Sequence, residues 1–269
     1  MQPNLIKVCK QVGLLAKQTG GFLQRQQGKI KSSHVLTKSM NSFVTYVDKE
    51  SEKRLVKGLK RILPGSGFIT EEETIVNKRE QYTWVIDPLD GTTNFIHGVP
   101  CYCISIGLML SDGTNNEIIL GVIYEPNLDE LFYAIKGKGA FMNGKKIAVS
   151  GAKKLSHSLL VTGFPTYDLK KMKQYLNLFS YFMKNTRGLR RMGSAAVDLA
   201  YTACGRFDSF YEYSLNPWDV AAGSLLVKEA GGKVCDFKGG NNFLFGKEII
   251  ASNATVHGDM LKSIKKHFQ

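Results

Sequence analysis

The run Trp84-Val85-Ile86-Asp87-Pro88-Leu89-Asp90-Gly91-Thr92-Thr93-Asn94 constrains this chain most, because an apolar stretch stops at two acids separated by a proline and a leucine. It reads as a strand that delivers carboxylates to its own end. Pro88 fixes its own φ and biases Asp87 toward an extended conformation, while Gly91 lets the chain turn sharply. Two carboxylates this close repel unless a cation lies between them, and carboxylates with waters are what a hard divalent ion such as Mg²⁺ accepts. Asp87 and Asp90 would equally serve to cap a turn and a following helix, so the run alone leaves both roles open.

Other acids stand in suggestive places. Asp219, in Asn216-Pro217-Trp218-Asp219-Val220-Ala221-Ala222-Gly223, opens a helical run through Leu225, Leu226 and Ala230, where an acid taken singly is a cap or dipole partner. Glu71-Glu72-Glu73 follow Gly67-Phe68-Ile69-Thr70, and Asp48 closes Phe43-Val44-Thr45-Tyr46-Val47. Three glutamates in a row are ordinarily a solvated face. In this order, with D-P-x-D-G-T-x-N paired to W-D-x-A-A-G, the chain resembles the inositol monophosphatase family of Mg²⁺-dependent, lithium-sensitive phosphatases. The resemblance extends from the helix before Val44-Thr45 to Gly231-Gly232.

That resemblance implies a layered α-β-α-β-α sandwich of mixed α/β class, with the site at the junction of an N-terminal half (about 1–149) and a C-terminal half (about 150–269) of one catalytic domain. It implies that Asp87 bridges metals, that Glu71 and the Leu89 carbonyl help hold the first, and that Asp90 and Asp219 complete the second. Thr92 matches the hydroxyl that orients the attacking water, and Asp48 the acid that holds Thr92 and takes its proton. On its own residues Asp48 is also the expected N-cap of a helix. Thr70 stands where the family usually has glycine, and Glu73 adds a third acid, so the inner glutamate could slide to Glu72; Phe68-Ile69 favours Glu71.

Substrate contacts are implied more loosely. Gly193-Ser194-Ala195-Ala196 opens a predicted helix whose free amides suit a phosphate or a sugar hydroxyl, and the Gly91 and Thr92 amides could cradle phosphate in the same way. Glu212, in Tyr211-Glu212-Tyr213, matches the family acid that accepts hydrogen bonds from inositol hydroxyls, and is equally readable as a strand-end surface charge. Arg190 or Arg191 could reach an anionic substrate, although a solvated pair is the commoner meaning. His97 and His157 lack metal-ligand company. The substrate expected is a myo-inositol monophosphate or a related small polyol phosphate; fructose 1,6-bisphosphate, histidinol phosphate and 3′-phosphoadenylate are served by relatives with the same metal motifs. The family also implies a homodimer.

Composition bounds the remaining classes. At 269 residues and 43% hydrophobic content the chain reads as an ordinary globular protein, with no apolar run long enough to span a bilayer and no basic-then-apolar leader at Met1-Gln2-Pro3-Asn4. Five cysteines, Cys9, Cys101, Cys103, Cys204 and Cys235, form no C-x-x-C pair and are expected as buried thiols in a cytoplasm. A net charge of +13 would steer a phosphorylated substrate or any polyanion, but no nucleic-acid motif accompanies it, which ranks a basic RNA- or protein-binding scaffold below an enzyme.

Along the chain, apolar spacing predicts a first helix through Leu5, Val8, Val12, Leu15 and Ala16, interrupted near Gly20-Gly21, and a second from about Asp48 to Leu63. Strands are predicted at 82–87, 103–110, 117–124 and 130–135, and later near 159–162, 207–211 and 249–251. Later helices fall near 169–184, 194–204, 218–230 and 256–267.

Overall fold

The computed structural model describes residues 2–30, 35–39, 42–165 and 169–268. Helix α1 (Leu5–Gln26) starts at Asn4, whose side chain accepts the Lys7 N–H at 3.1 Å. It runs unbroken through Gly20-Gly21, contrary to the interruption predicted there. Gly20 serves packing instead: a Cβ at that position would lie 2.4 Å from the Tyr124 ring, so its absence brings the helix against the sheet.

A hairpin of β1 (Val35–Ser39) and β2 (Ser42–Thr45) leads into α2 (Tyr46–Ile62). The N-cap is Thr45 and Asp48 is the third helical residue, accepting the Thr45 N–H at 2.8 Å in a reciprocal capping box. Asp48 is therefore not the N-cap itself, as its position at the predicted helix start had implied.

The next strands are β3 (Gly67–Thr70), β4 (Tyr82–Asp90), β5 (Cys103–Ser111), β6 (Asn116–Glu125), β7 (Glu130–Ile135), β8 (Gly139–Met142) and β9 (Lys145–Ile147), with α3 (Thr92–His97) between β4 and β5. They form a seven-stranded sheet in chain order, parallel at β3–β4 and antiparallel elsewhere. A second, five-stranded sheet has the order β11-β10-β12-β14-β13, from β10 (Leu159–Thr162), β11 (Gly188–Arg190), β12 (Ser209–Tyr213), β13 (Lys233–Cys235) and β14 (Glu248–Ser252). Its helices are α4 (Met172–Asn185), α5 (Ala195–Ala203), α6 (Pro217–Glu229) and α7 (His257–His267). The short strands β3, β8, β9, β11 and β13 escaped the sequence reading, since each is too brief to show a period of two. Strand β12 begins two residues later than expected, which puts Glu212 inside it.

Five layers result. Val12, Leu23, Leu55 and Leu59 of α1 and α2 pack on Trp84, Ile86 and Leu120 of the first sheet. Leu199, Ala222 and Leu226 of α5 and α6 fill the space between the sheets, against Val85, Ile123, Val161, Phe210 and Ala251. Tyr175, Phe182, Met260 and Ile264 of α4 and α7 cover Leu160 and Ile250 on the far side. The middle layer is buried on every face, so α6 is apolar from Val220 to Val227 save Gly223 and Ser224. Gly121 admits it, because a Cβ there would meet the Ala222 carbonyl at 2.7 Å. Strand alternation then explains the site: Trp84 and Ile86 face the outer helices, Val85 faces the middle layer, and Asp87, two residues on, shares its side.

Candidate active site

Strand β4 ends in a bulge. Asp87 pairs with Ser105 and Asp90 with Cys103, so β4 spans three residues where β5 spans two, and Pro88, which has no N–H to lose, sits in the irregular step. The Leu89 N–H turns back to Asp87 Oδ1 at 2.9 Å. Gly91 follows at φ 96°, where any side chain would be strained and a Cβ would lie 2.9 Å from the Cys101 carbonyl. The turn aims the Thr92 hydroxyl at Asp48 Oδ1 (2.9 Å) and at the Leu89 carbonyl (3.1 Å), which share its proton.

Around this turn lies a cavity of about 140 Å³ lined by Glu71, Asp87, Leu89, Asp90, Gly91 and Thr92 from one side, and by Gly163, Phe164, Arg191, Gly193, Ser194, Ala195, Asp198, Glu212 and Asp219 from the other. All the sequence-assigned residues except Asp48 line it, and Asp48 stands directly behind Thr92. Glu71, not Glu72, reaches the cavity; the Glu72 N–H instead donates to Glu52 Oε2 at 2.8 Å. Buried Glu52 also accepts from the Thr74 N–H and hydroxyl, both at 2.7 Å, and so shapes the acidic loop. Arg191 lines the cavity, with its guanidinium 5.2 Å from the Phe164 ring centre, whereas Arg190 is exposed at the end of β11. His97 and His157 are exposed and outside the cavity.

The amides at the start of α5 are not all free for a ligand, as the sequence had implied. Asp90 Oδ2 accepts the Ser194 hydroxyl and the Ala196 N–H, each at 2.7 Å, while Ser194 caps the helix. Asp219 likewise accepts the Asn216 N–H at 2.7 Å within a capping box at α6, whose first residue is Pro217. Among the described residues no three His, Cys, Asp or Glu side chains close into a ligand shell by themselves.

Charge shows what the cavity accepts. Burial pushes Asp87 and Asp219 well above the usual carboxylate range, and the charges of Glu71 and Asp90 push both further. Asp90 is raised to about 6 by burial, against the lowering pull of its Ser194 and Ala196 hydrogen bonds. Asp48 is also raised by burial, opposed by its bonds from Thr45 and Thr92. The cavity-lining oxygens of Glu71, Asp87, Asp90 and Asp219 are of the kind a hard divalent cation accepts, and a cation bound among them would favour their charged forms.

A profile of the inositol monophosphatase family matches residues 4–269. The chain belongs to the inositol monophosphatase family. It is 42% identical over 253 residues to the putative Nus factor SuhB of Neisseria meningitidis serogroup B, covering 94% of this chain and 95% of that one. It is 39% identical over 252 residues to the inositol-1-monophosphatase of Mesorhizobium japonicum, covering 93% of each. The crystal structure of the extragenic suppressor protein suhB from Bartonella henselae superposes with a TM-score of 0.89 at 40% identity, over 96% of this chain and 98% of that one.

Within this inositol monophosphatase scaffold several cavity residues carried no motif. Gly163 is one: a Cβ there would lie 2.2 Å from both Glu212 carboxylate oxygens, so the bare backbone makes room for that acid. Asp198 is another, and its signal was an acid in the otherwise apolar run Ala195-Ala196-Val197-Asp198-Leu199-Ala200. Glu212 is 7% exposed and raised to about 8, first by burial and then by Asp90, so it is no surface charge. The five cysteines are free thiols, all buried except the half-buried Cys204. No described helix is long and apolar enough to cross a membrane.

Proposed function

We propose that the chain is a Mg²⁺-dependent hydrolase of small polyol phosphates, with myo-inositol monophosphate as its first substrate. The observation that carries this is the Thr92 hydroxyl fixed by buried Asp48 at the edge of a cavity lined by Glu71, Asp87, Asp90 and Asp219. Glu71, Asp87, the Leu89 carbonyl, Asp90 and Asp219 would hold Mg²⁺, which when bound offsets charge on the phosphoryl oxygens and the leaving alkoxide. Thr92 positions the water that attacks phosphorus, and the proton the water loses passes through the Thr92 hydroxyl to Asp48 behind it, with Glu71 on the cavity wall as a second acceptor. As the new P–O bond forms, the ester P–O bond breaks and the alkoxide leaves as the alcohol after taking a proton from solvent water, the proton held by the acids returning to solvent. The Gly91 and Thr92 amides and the Gly193-Ser194-Ala195 turn border the phosphate, with Asp90 and Asp219 beside it, and Glu212 receives hydroxyls of the polyol.

Phosphate release should be measured on inositol monophosphate, fructose 1,6-bisphosphate, histidinol phosphate and 3′-phosphoadenylate, with Mg²⁺ and with chelator. Mg²⁺-dependent turnover fastest on inositol monophosphate is expected, inhibited by LiCl at high Mg²⁺; turnover indifferent to chelator would defeat the proposal. Five free cysteines agree with a cytoplasmic setting, and a homodimer is the expected assembly, checked by light scattering.

A second reading takes the chain as a basic binding scaffold, favoured by a net charge of +13 and by relatives named Nus factor. Binding to an RNA probe that survives physiological salt, in a variant such as Asp87→Asn that lacks turnover, would support it.

A further inference from the structure

One carboxylate in the cavity has no part in the chemistry above. Asp198 is 1% exposed and lines the cavity from α5, yet its Oδ1 has no hydrogen-bond partner. Its backbone is fully engaged, the N–H donating to the Ser194 carbonyl at 3.0 Å and the carbonyl accepting the Thr202 hydroxyl at 2.8 Å. Asp198 thus borders the cavity with a buried carboxylate oxygen that the protein leaves unmet. Leaving a buried acceptor unmet is costly, and an apolar residue of like size would avoid that cost, so the orphan oxygen is explained by a donor that arrives with a ligand.

Two neighbours identify that donor. Glu212 acts electrostatically on Asp198 and lines the same cavity, so two carboxyl groups border one space. Arg191 acts on both and supplies the local positive charge, which disfavours a second cation such as a ligand ammonium. Burial raises both groups above the ordinary carboxylate range and Arg191 opposes this only in part, so the pair does not call for a cation, and two such groups on one cavity suit neutral hydroxyls on adjacent carbons.

Resting on the polyol phosphatase proposal, we propose that Asp198 and Glu212 together receive vicinal hydroxyls of the substrate, making Asp198 a specificity-determining residue. Asp198 is thus the group that separates polyol phosphates from phosphate esters without such hydroxyls.

The test measures kcat and KM of the Mg²⁺-loaded enzyme on inositol 1-phosphate and on p-nitrophenyl phosphate. In Asp198→Ala and Asp198→Asn the ratio of the two kcat/KM values should fall roughly 10- to 100-fold, with the loss on inositol phosphate carried more by KM than by kcat. Combination with Glu212→Gln should give less than the product of the single losses. An unchanged ratio in folded variants overturns the assignment of Asp198. The wild type provides a measurement independent of variant folding: among single-deoxy inositol phosphates at least one should lose a comparable factor, and a series with no member losing more than about threefold defeats the proposal. An enzyme that hydrolyses the aryl ester but no polyol phosphate removes the polyol function and the Asp198 role together. Good turnover of inositol phosphate with an unchanged ratio removes the Asp198 role alone.

Discussion

On one side of the cavity Asp87, Leu89, Asp90, Gly91 and Thr92 come from a single strand end and its turn; on the other, Gly163, Arg191, Asp198 and Glu212 come from separate elements of the second sheet and the middle layer. The first group is placed by short-range stiffness, through the Pro88 bulge, the left-handed Gly91 and the capping box that fixes Asp48. The second is placed by packing, with α5 held between two sheets and Glu212 set against a bare Gly163. A site made this way separates its tasks. On the polyol phosphatase proposal, the locally fixed acids would serve any phosphate ester, while the packed residues would read the alcohol attached to it.

The largest effect should come from the strand end. Asp87→Asn and Asp90→Asn each remove a negative oxygen donor, and kcat on inositol phosphate and on an aryl phosphate alike should fall by about three decades, since a bound metal contributes several kcal/mol. Circular dichroism should report an intact fold. Loss confined to the polyol ester would break the division between the two sides.

Next, Thr92→Ala and Asp48→Asn should each lower kcat by about 10²- to 10⁴-fold with little change in KM, the usual range for a lost proton-transfer group. The double variant should fall short of the sum, because the two groups share one hydrogen bond. Asp48→Asn should also lower stability by about 1 kcal/mol, as it weakens the α2 capping box. Additive kinetic losses would reduce Asp48 to a helix cap.

This division also explains what was legible in the sequence. The five-layer fold was legible through the family resemblance, and the strand-end acids because an apolar run ending at Asp-Pro-Leu-Asp-Gly and a helix-opening Pro-Trp-Asp are each set by a few adjacent residues. Gly163 and Asp198 were not, since nothing near either in sequence says what it will face; Gly163 meets Glu212 only after β10 and β12 pair in parallel. Gly20 was misread for the same reason, its purpose being contact with Tyr124, far along the chain. The α5 amides were read as open because the occupying carboxylate, Asp90, belongs to the other sheet.

A smaller effect should come from the packed side. Gly163→Ala puts a methyl group into the space of the Glu212 carboxylate, which must then turn away. The kcat/KM ratio of inositol phosphate to p-nitrophenyl phosphate should drop about tenfold, the cost of one weakened hydrogen bond. Proportional loss on both esters would mean that this loop supports the whole site and that the two sides are not separable.

The smallest effect is on stability, and it tests whether Glu212 is placed by packing at the expense of its charge. Burial raises its folded-state value to about 8 from an ordinary 4.5, so the fold binds this proton more tightly than the unfolded chain does. The resulting stabilisation is fully present below about pH 4.5 and is lost as the pH rises through about 8. Glu212→Gln cannot ionise and is spared that loss. With chelator present, so that no metal contributes, the variant should melt a few degrees above the wild type at pH 8.5, about 1–2 kcal/mol of stability, and the gap should close or reverse at pH 5. The other buried acids titrate in both proteins, so the difference between the two curves belongs to Glu212 and to its coupling with its neighbours. Parallel melting curves from pH 5 to 8.5 would show that Glu212 ionises freely and that its packed position is not held at the expense of its charge.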